Sequence, residues 1–331
     1  MKVKIITPSR LHFSLIDLNG RIGRIDGGLG VAINHPNIIV DAEPSDEYKL
    51  RVINSHGYSN GEIDQLTKNI INSLKVGDNV FLQITLNIPA HMGLGSKTQL
   101  SLAISKALCL INNLEKTPYE LAKLTSRAGT SRIGLTAFEK GGFIVDGGHS
   151  FGKGKEKESY LPSSASNAHP APIISWDIVP DDWYYLITVP QIKRGAHGTD
   201  EINKFRQNCP ISIDDVRTIS HIILMKILPA IKEKRIDTFG NGIYELQSIG
   251  FKKIEIELQD KIISDLIEFS IENGAYGSGM SSFGPATFAL IKGLAKAQKL
   301  KQKTELFLND RCKSDVFITN TNNTGAKIEI S

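Results

Sequence analysis

The stretch that most constrains the fold runs from Val80 to Ile111. Val80, Leu82, Ile84, Leu86 and Ile88 alternate with Phe81, Gln83, Thr85 and Asn87. That period of two predicts a strand, and Pro89 ends it. Then comes Pro89-Ala90-His91-Met92-Gly93-Leu94-Gly95-Ser96-Lys97-Thr98-Gln99. Leu100, Ala103, Ile104, Ala107, Leu108 and Ile111 follow at helical spacing, so a helix with one apolar face begins near Ser96. A strand, a loop with two glycines and a helix opening on Ser-Lys-Thr can hold phosphate. The glycines let the backbone approach the anion, and the first helical N–H groups and the helix dipole favour negative charge. Read alone, the alternative for the same turn is an ordinary strand-to-helix junction with Ser96 as N-cap.

The rest of the chain decides what such a loop serves. With 331 residues, two domains are expected. A net charge of +4 is too small to imply nucleic acid and suits anionic small substrates. The 3 cysteines, Cys109, Cys209 and Cys312, make no CxxC pair and no disulfide frame, which implies a reducing compartment. No run approaches the roughly 18 apolar residues of a membrane helix, and the N-terminus lacks an apolar leader core. A cytoplasmic protein without membrane or nucleic-acid partners is expected.

Along the chain, strands are predicted at 2–6, 37–43 and 48–53, and an amphipathic helix through Ile63, Leu66, Ile70, Ile71 and Leu74. Between them, Gly23-Arg24-Ile25-Asp26-Gly27-Gly28-Leu29-Gly30 reads as a loop whose backbone can approach a ligand, or as a hairpin tip with a salt bridge. Thr117-Pro118-Tyr119-Glu120 is a capping box that starts a helix to about Ala128. Gly141-Gly142 leads into a buried strand. Residues 150–172 lose periodicity and read as a flexible loop, a place for a lid or an interdomain excursion.

Trp183 to Val189 reads as the strand opening a second domain. Three helices are expected after it: one from Ser212 that Pro229 ends or kinks, one through Ile236, Phe239, Ile243 and Leu246, and one over roughly 256–272. Gly274 to Leu290 reads as a glycine-serine loop feeding a strand. A helix near 293–309 and a strand from Asp315 to Thr319 finish the chain.

Three glycine-rich loops, at 26–30, 93–98 and 277–284, carry hydroxyl or basic residues, without a Walker A or GxGxxG pattern. Together they point to a large polyanion held mainly by backbone donors. Asp17, Asp26, Glu139 and Asp146 lie in or beside glycine-rich stretches. Each alone reads as an Asx turn or a salt-bridge partner. With a pyrophosphate ligand, Mg²⁺ would be expected, taking only one or two carboxylates. His12, His91, His149 and His197 lie next to glycine or basic residues, and a lone histidine is more often structural than catalytic. No spacing suggests zinc and no GxSxG elbow suggests a serine hydrolase.

The order of these motifs resembles the GHMP kinase superfamily, through Pro8-Ser9-Arg10, the Pro89–Lys97 loop and Gly277-Ser278-Gly279-Met280-Ser281-Ser282-Phe283-Gly284-Pro285. The resemblance implies an α+β, two-domain fold. Residues 1–178 would form an N-terminal α/β domain like ribosomal protein S5 domain 2, and residues 179–331 a C-terminal ferredoxin-like domain. Where kinases of this superfamily carry the aspartate base, counting back from Gly141-Gly142 gives Gly134, which cannot accept a proton. The second serine of the phosphate loop is Lys97.

Within the superfamily, Pro8 to Phe13, Gly23 to Gly30 and above all Ala137 to His149 resemble the β-ribofuranosylaminobenzene 5′-phosphate synthase branch. That implies a decarboxylating pentosyltransferase of tetrahydromethanopterin biosynthesis. It would condense 5-phosphoribosyl 1-pyrophosphate with 4-aminobenzoate or 4-hydroxybenzoate, in a homodimer using Mg²⁺. On this reading Gly93, Gly95, Ser96, Lys97, Thr98, Gly28, Ser281 and Ser282 hold the donor, and Arg10, Arg24 and Arg132 hold its 5′-phosphate or the carboxylate. His12, Asp26, His149 and Arg10 are the catalytic candidates, and Glu139 and Asp146 the metal candidates. An ATP-dependent small-molecule kinase and a non-catalytic nucleotide-binding protein are the alternatives.

Overall fold

A computed structural model describes residues 1–162, 165–192 and 199–331. His197 and the basic Lys193-Arg194-Gly195 stretch lie outside the described residues.

In chain order the elements are β1 (Val3–Ile6), β2 (Ser9–Asp17), β3 (Arg24–Ile33), β4 (Ile38–Pro44), β5 (Lys49–Ile53), α1 (Asn60–Leu74), β6 (Val80–Leu86) and α2 (Ser96–Ile111). Then come α3 (Pro118–Leu124), α4 (Ile133–Glu139), β7 (Phe143–Asp146), β8 (His149–Ser150) and β9 (Ile173–Asp177). The second half holds β10 (Trp183–Pro190), α5 (Thr199–Asn208), α6 (Ile213–Ile222), α7 (Leu228–Lys232), α8 (Ile236–Glu245), α9 (Gly250–Glu257) and α10 (Lys261–Glu272). It closes with β11 (Gly277–Met280), β12 (Thr287–Lys292), α11 (Leu294–Leu308), β13 (Ser314–Asn320) and β14 (Lys327–Ile330).

These strands make three sheets, ordered β14-β1-β4-β6-β5, β2-β3-β7-β9 (with β8 on β3) and β11-β12-β10-β13. β6 shows why its alternation predicted a strand: Val80, Leu82, Ile84 and Leu86 are buried while the residues between them are half-buried. α2 packs against β1 and β4 and buries Leu100, Leu102, Ile104 and Leu108 completely. A fully buried aliphatic side chain contributes about 1.5–3 kcal/mol, so this helix anchors the loop that precedes it. β2 carries the second and third sheets' contacts with each other: Gln247, after α8, donates to the Phe13 carbonyl at 3.3 Å and accepts from the Met280 N–H at 3.1 Å.

Several expectations are corrected. Residues 24–30 are not a ligand loop but part of β3, in the interior of its sheet between β2 and β7. Gly28 there leaves room for the His12 ring, whose Nε2 would lie 2.9 Å from any Cβ. The 150–172 segment is tied down in its described part. Lys157 is buried, the Tyr160 hydroxyl donates to the Asn19 carbonyl at 2.7 Å, and the Thr130 hydroxyl donates to the Leu161 carbonyl at 2.9 Å. Pro229 does not end the helical run, but the regular α pattern is interrupted just before it. A π-turn over Ile223–Ile227 joins α6 to α7, and Pro229 falls in the first turn of α7, where its missing N–H is not needed. The 256–272 helix is two, α9 and α10, because Asp260 caps the second by accepting from the Ile262 N–H at 2.9 Å. The helix after Thr117 stops at Leu124, with Ser126 and Ala128 at positive φ. Part of the 277–284 loop is β11, paired with β12. β14, unread in the sequence, pairs antiparallel with β1, so the chain's end returns to the first sheet.

Candidate active site

The phosphate loop, the start of β2 and the loop after β11 are knitted into one wall. The Arg10 guanidinium donates to the Gly93 carbonyl, and its Nη1 lies 3.5 Å from the Ser281 hydroxyl. Ser281 donates to the same carbonyl at 2.6 Å and accepts from the His12 N–H at 3.0 Å. The backbone completes the weave: Arg10 N–H to the Leu94 carbonyl at 3.1 Å, and Ser282 N–H to the His12 carbonyl at 3.2 Å. A cavity of about 170 Å³ results, lined by Arg10, Gly93, Gly95, Ser96, Lys97, Thr98 and Ser282 together with His91, Glu201, Phe283 and Gly284. Seven of the sequence candidates therefore share one cavity, with Ser281 bracing it from beneath.

Its charge is positive at the anion end. Gly95, at φ +80, takes the N-cap position of α2 and offers no side-chain cap, which leaves the first-turn N–H groups for an anion. Ser96 is held by Tyr58, their oxygens 2.8 Å apart. Burial lowers the Arg10 pKa to about 10, opposed by Glu255 and Glu201, so the guanidinium stays charged at neutral pH. Burial, then Arg127, draws Lys97 below its ordinary range.

A second cluster lies along β2, β3 and β7. His12 Nε2, the Ser131 hydroxyl and Asp146 Oδ2 all fall within 3.6 Å of the point where a Gly28 Cβ would sit. Asp146 Oδ2 accepts from the Arg132 N–H at 2.8 Å and from Ser131 at 3.3 Å, and Oδ1 accepts from the Gly148 N–H at 3.1 Å. Burial nevertheless pushes Asp146 up to about 6, the backbone donors opposing it. Burial, with Arg10 and Lys252 adding to it, holds His12 well below its usual value, so its imidazole is neutral. Its Nδ1 is buried without a hydrogen-bond partner. The cluster adjoins the phosphate wall through the His12–Ser281 bond and through Gly134, whose Cβ would lie 3.3 Å from Thr98 Cγ2.

Asp26 and His149 form a third group, outside the lining of the phosphate cavity. The Asp26 carboxylate Oδ2 lies 2.6 Å from His149 Nδ1 and 2.8 Å from Lys157 Nζ, and all three side chains are almost fully buried. His149 Nε2 faces the His169 carbonyl at 2.8 Å. Both ring nitrogens thus have protein partners, an arrangement that orients the 146–150 turn rather than meeting a substrate. Arg24 is similarly occupied, clipping the carbonyls of Gly147 and Gly148. Arg132 donates to the Ala171 carbonyl at 3.1 Å and lies 3.7 Å from Glu139.

The proposed metal pair does not fit a shared ion. Glu139 faces Arg132, and both Asp146 oxygens are taken by protein N–H and O–H donors. Among the described residues no group of three or more His, Cys, Asp or Glu is placed to hold a metal.

Sequence reasoning missed three buried or lining charges. Lys252 on α9 is fully buried, ion-paired with Glu255 and 3.4 Å from the Met280 carbonyl, with burial lowering its pKa. Its place beneath the Ser281–Ser282 turn has no sequence signal beyond an i,i+3 pair. Lys157 sits in a lysine-rich stretch that reads as solvated, and Glu201 on α5 follows the basic 193–198 segment.

Known families and proteins match this chain along its length. The GHMP kinases N terminal domain matches residues 63–141, and GHMP kinases C terminal matches residues 227–307. A beta-ribofuranosylphenol 5′-phosphate synthase of Methanocaldococcus jannaschii is 44% identical, covering 98% of this chain and 99% of its own. One from Archaeoglobus fulgidus is 38% identical, covering 99% and 100%. Among solved structures, a homoserine kinase from Cytophaga hutchinsonii superposes with a TM-score of 0.70 at 17% identity, over 99% of this chain and 97% of that one. A mevalonate kinase from Methanococcus jannaschii gives 0.65 at 16% identity, over 97% and 98%. The structural likeness shows the α+β GHMP kinase fold.

Proposed function

The chain belongs to the beta-ribofuranosylphenol 5′-phosphate synthase family, built on the GHMP kinase fold, and from that premise we propose that it is a decarboxylating pentosyltransferase of the methanopterin pathway. The donor is 5-phosphoribosyl 1-pyrophosphate. The relatives' name specifies a phenol, which supports 4-hydroxybenzoate over 4-aminobenzoate as the acceptor in this proposal. The observation that carries the reading is a cavity that combines Arg10, Lys97 and the uncapped start of α2 beside Gly134, a position with no carboxylate to deprotonate a kinase substrate.

The step balances as a substitution followed by loss of carbon dioxide. The ring carbon bearing the carboxylate attacks ribosyl C1, and the C1–oxygen bond breaks with its electron pair leaving on pyrophosphate. The ring–carboxylate bond then breaks, carbon dioxide departs, and the released pair restores aromaticity. Arg10, Lys97 and the N–H groups opening α2 neutralise the departing pyrophosphate, the largest charge that develops. Glu201, the carboxylate in the cavity lining, would hold Mg²⁺, which would supply further positive charge for the pyrophosphate. Neutral His12, beside Asp146, can hydrogen-bond to the ribose without repelling its developing positive charge. Buried Asp26 and His149 orient the turn that follows Asp146. A homodimer is part of the proposal through the family resemblance, and sedimentation velocity tests it.

The decisive assay mixes purified protein, Mg²⁺, 5-phosphoribosyl 1-pyrophosphate and carboxyl-labelled 4-hydroxybenzoate without ATP. Labelled carbon dioxide is expected. Phosphorylation of a small alcohol by ATP, with no carbon dioxide, would reverse the reading in favour of a kinase. ATP binding without turnover in either assay would indicate a nucleotide-binding protein.

A further inference from the structure

Against the phosphate cavity lies a second one of about 330 Å³, between α1 and the start of α2. That is within the range of about 300–1,000 Å³ usual for small-molecule sites. Its apolar wall is Tyr58, Ile63, Leu66 and Leu100. Ile63 and Leu100 are buried, and Tyr58 and Leu66 pack on the main core, so the wall is preformed. The Tyr58 ring stands 6.1 Å from that of His91, tilted by 42°. Tyr58 is pinned by its hydroxyl to Ser96, the first residue of α2.

The two cavities share His91 and Lys97. A ligand in one therefore meets a ligand in the other across the Lys97 ammonium. The second cavity also has a polar side. Glu62, close enough to interact with the His91 and Lys97 charges, is engaged by its own N-cap, accepting from Ser59 at 2.8 Å and 2.9 Å. The Gln65 amide donates to Asn69 Oδ1 at 2.8 Å, which leaves the Gln65 carbonyl oxygen as an acceptor and the Asn69 amide nitrogen as a donor.

We propose that this second cavity binds the aromatic acceptor of the reaction, a para-hydroxylated aromatic acid. The proposal rests on the synthase reading above. The ring lies on Tyr58, Leu66 and Leu100, its hydroxyl meets Gln65 and Asn69, and its carboxylate points to Lys97. The carbon that carries the carboxylate is then the one nearest the pyrophosphate cavity, which the substitution requires. An apolar slot that includes the Lys97 cation, shared with the phosphate cavity, and the Gln65–Asn69 donor–acceptor pair, with Glu62 already engaged by its N-cap, matches that molecule's three parts.

The test uses the intact protein and two variants. Leu66→Trp fills the slot, and Gln65→Ala, at an exposed position on α1, removes the acceptor without touching the core. Leu66→Trp should raise KM for 4-hydroxybenzoate at least tenfold and leave KM for 5-phosphoribosyl 1-pyrophosphate within twofold. Gln65→Ala should raise the same acceptor KM several-fold. Saturation-transfer NMR of 4-hydroxybenzoate, with inorganic pyrophosphate present, should show ring contact in the wild type that Leu66→Trp abolishes. Unchanged acceptor KM in both variants, or ring signals that survive Leu66→Trp, would overturn the assignment while leaving the synthase reading intact. ATP binding that Leu66→Trp removes, with acceptor kinetics unmoved, would make the slot a nucleoside pocket. Failure of the wild type to release carbon dioxide would count against the synthase reading, and the NMR arm would still decide the cavity.

Discussion

The ammonium of Lys157 and the carboxylate of Asp26 meet at 2.8 Å, with side chains 3% and 0% exposed. Lys157 also donates to the Thr130 hydroxyl at 3.2 Å and the Leu161 carbonyl at 3.1 Å, so one cation fastens β3 to two loops. Removing it strands a buried carboxylate with only His149 beside it. Lys157→Met is expected to lower unfolding stability by about 3–5 kcal/mol. Urea titration of both proteins measures the difference. The double variant Asp26→Asn/Lys157→Met should lose at least about 0.5 kcal/mol less than the two single losses together, because the partners are in contact. A Lys157→Met loss under about 1 kcal/mol would mean the pair is a solvated contact.

Asp146 gives the protein a pH signature. Its pKa in the fold, about 6, stands above the ordinary 3.8 because burial penalises the ionised form. The folded state therefore binds more protons than the unfolded one between those values, and stability falls as pH rises from about 4 to about 6. The two-unit rise corresponds to about 3 kcal/mol, lost fully above pH 6. Asp146→Asn cannot ionise, so its stability relative to wild type should improve over the same window and then level off. Denaturant midpoints at pH 4, 5, 6 and 7.5 test this, and parallel curves for the two proteins would refute it.

These two carboxylates mark the limit of what the sequence displays. The alternation of Val80–Ile88 and the apolar face from Leu100 to Ile111 state their structure directly, because each half-buried surface imposes its own period. The same holds for Thr117–Glu120, whose capping box is present in both directions. β3 is hidden because glycine has little strand propensity, and its glycines answer to close approach by His12 and its neighbours, a three-dimensional demand. Lys157 is hidden because lysine in a Lys/Ser/Gly stretch reads as solvated, and only β3 supplies its partner. Arg10, Lys97 and Ser281 are legible as residues of the candidate site because they lie inside motifs. Asp26 and His149 lie inside motifs too, yet the fold turns them inward. A motif names positions that matter without saying whether they face a ligand or brace what does.

Arg10 is the residue whose geometry, more than its charge, holds the phosphate wall. Arg10 Nη1 serves the Gly93 carbonyl and approaches Ser281, while the rest of the planar guanidinium keeps donors that a lysine ammonium, differing in reach and shape, does not place in the same positions. Arg10→Lys should lower kcat/KM about 100-fold, equivalent to about 2.7 kcal/mol of lost transition-state stabilisation. Lys97→Ala touches fewer protein groups and should act on binding, raising KM for the pyrophosphate substrate about tenfold or more and, because the acceptor's carboxylate points to the same ammonium, raising the acceptor KM as well. Steady-state kinetics against each substrate separates the two. Equal effects of both variants on acceptor KM alone would contradict these roles.

The loop's precision can be tested with two glycines of opposite setting. Gly95 sits at φ +80, and a Cβ there would lie 2.9 Å from Arg10 Cγ. Gly95→Ala therefore incurs left-handed strain of about 1–2 kcal/mol and also displaces Arg10 from the Gly93 carbonyl. Gly61, in the first turn of α1, has open space within 4 Å of the point where a Cβ would sit, and no positive φ. Gly61→Ala should stabilise the protein by about 0.4–1 kcal/mol by restricting the unfolded chain. Activity should separate the pair further than stability does. Gly61→Ala is expected to keep wild-type kcat/KM, while Gly95→Ala, assayed where it is fully folded, should lose more than tenfold, because Arg10 must move wherever the backbone settles. Thermal melts and kinetics on the same preparations check both arms. Full activity in a folded Gly95→Ala would show that the anion is held without Arg10 in place, and would return the loop to an ordinary strand-to-helix turn.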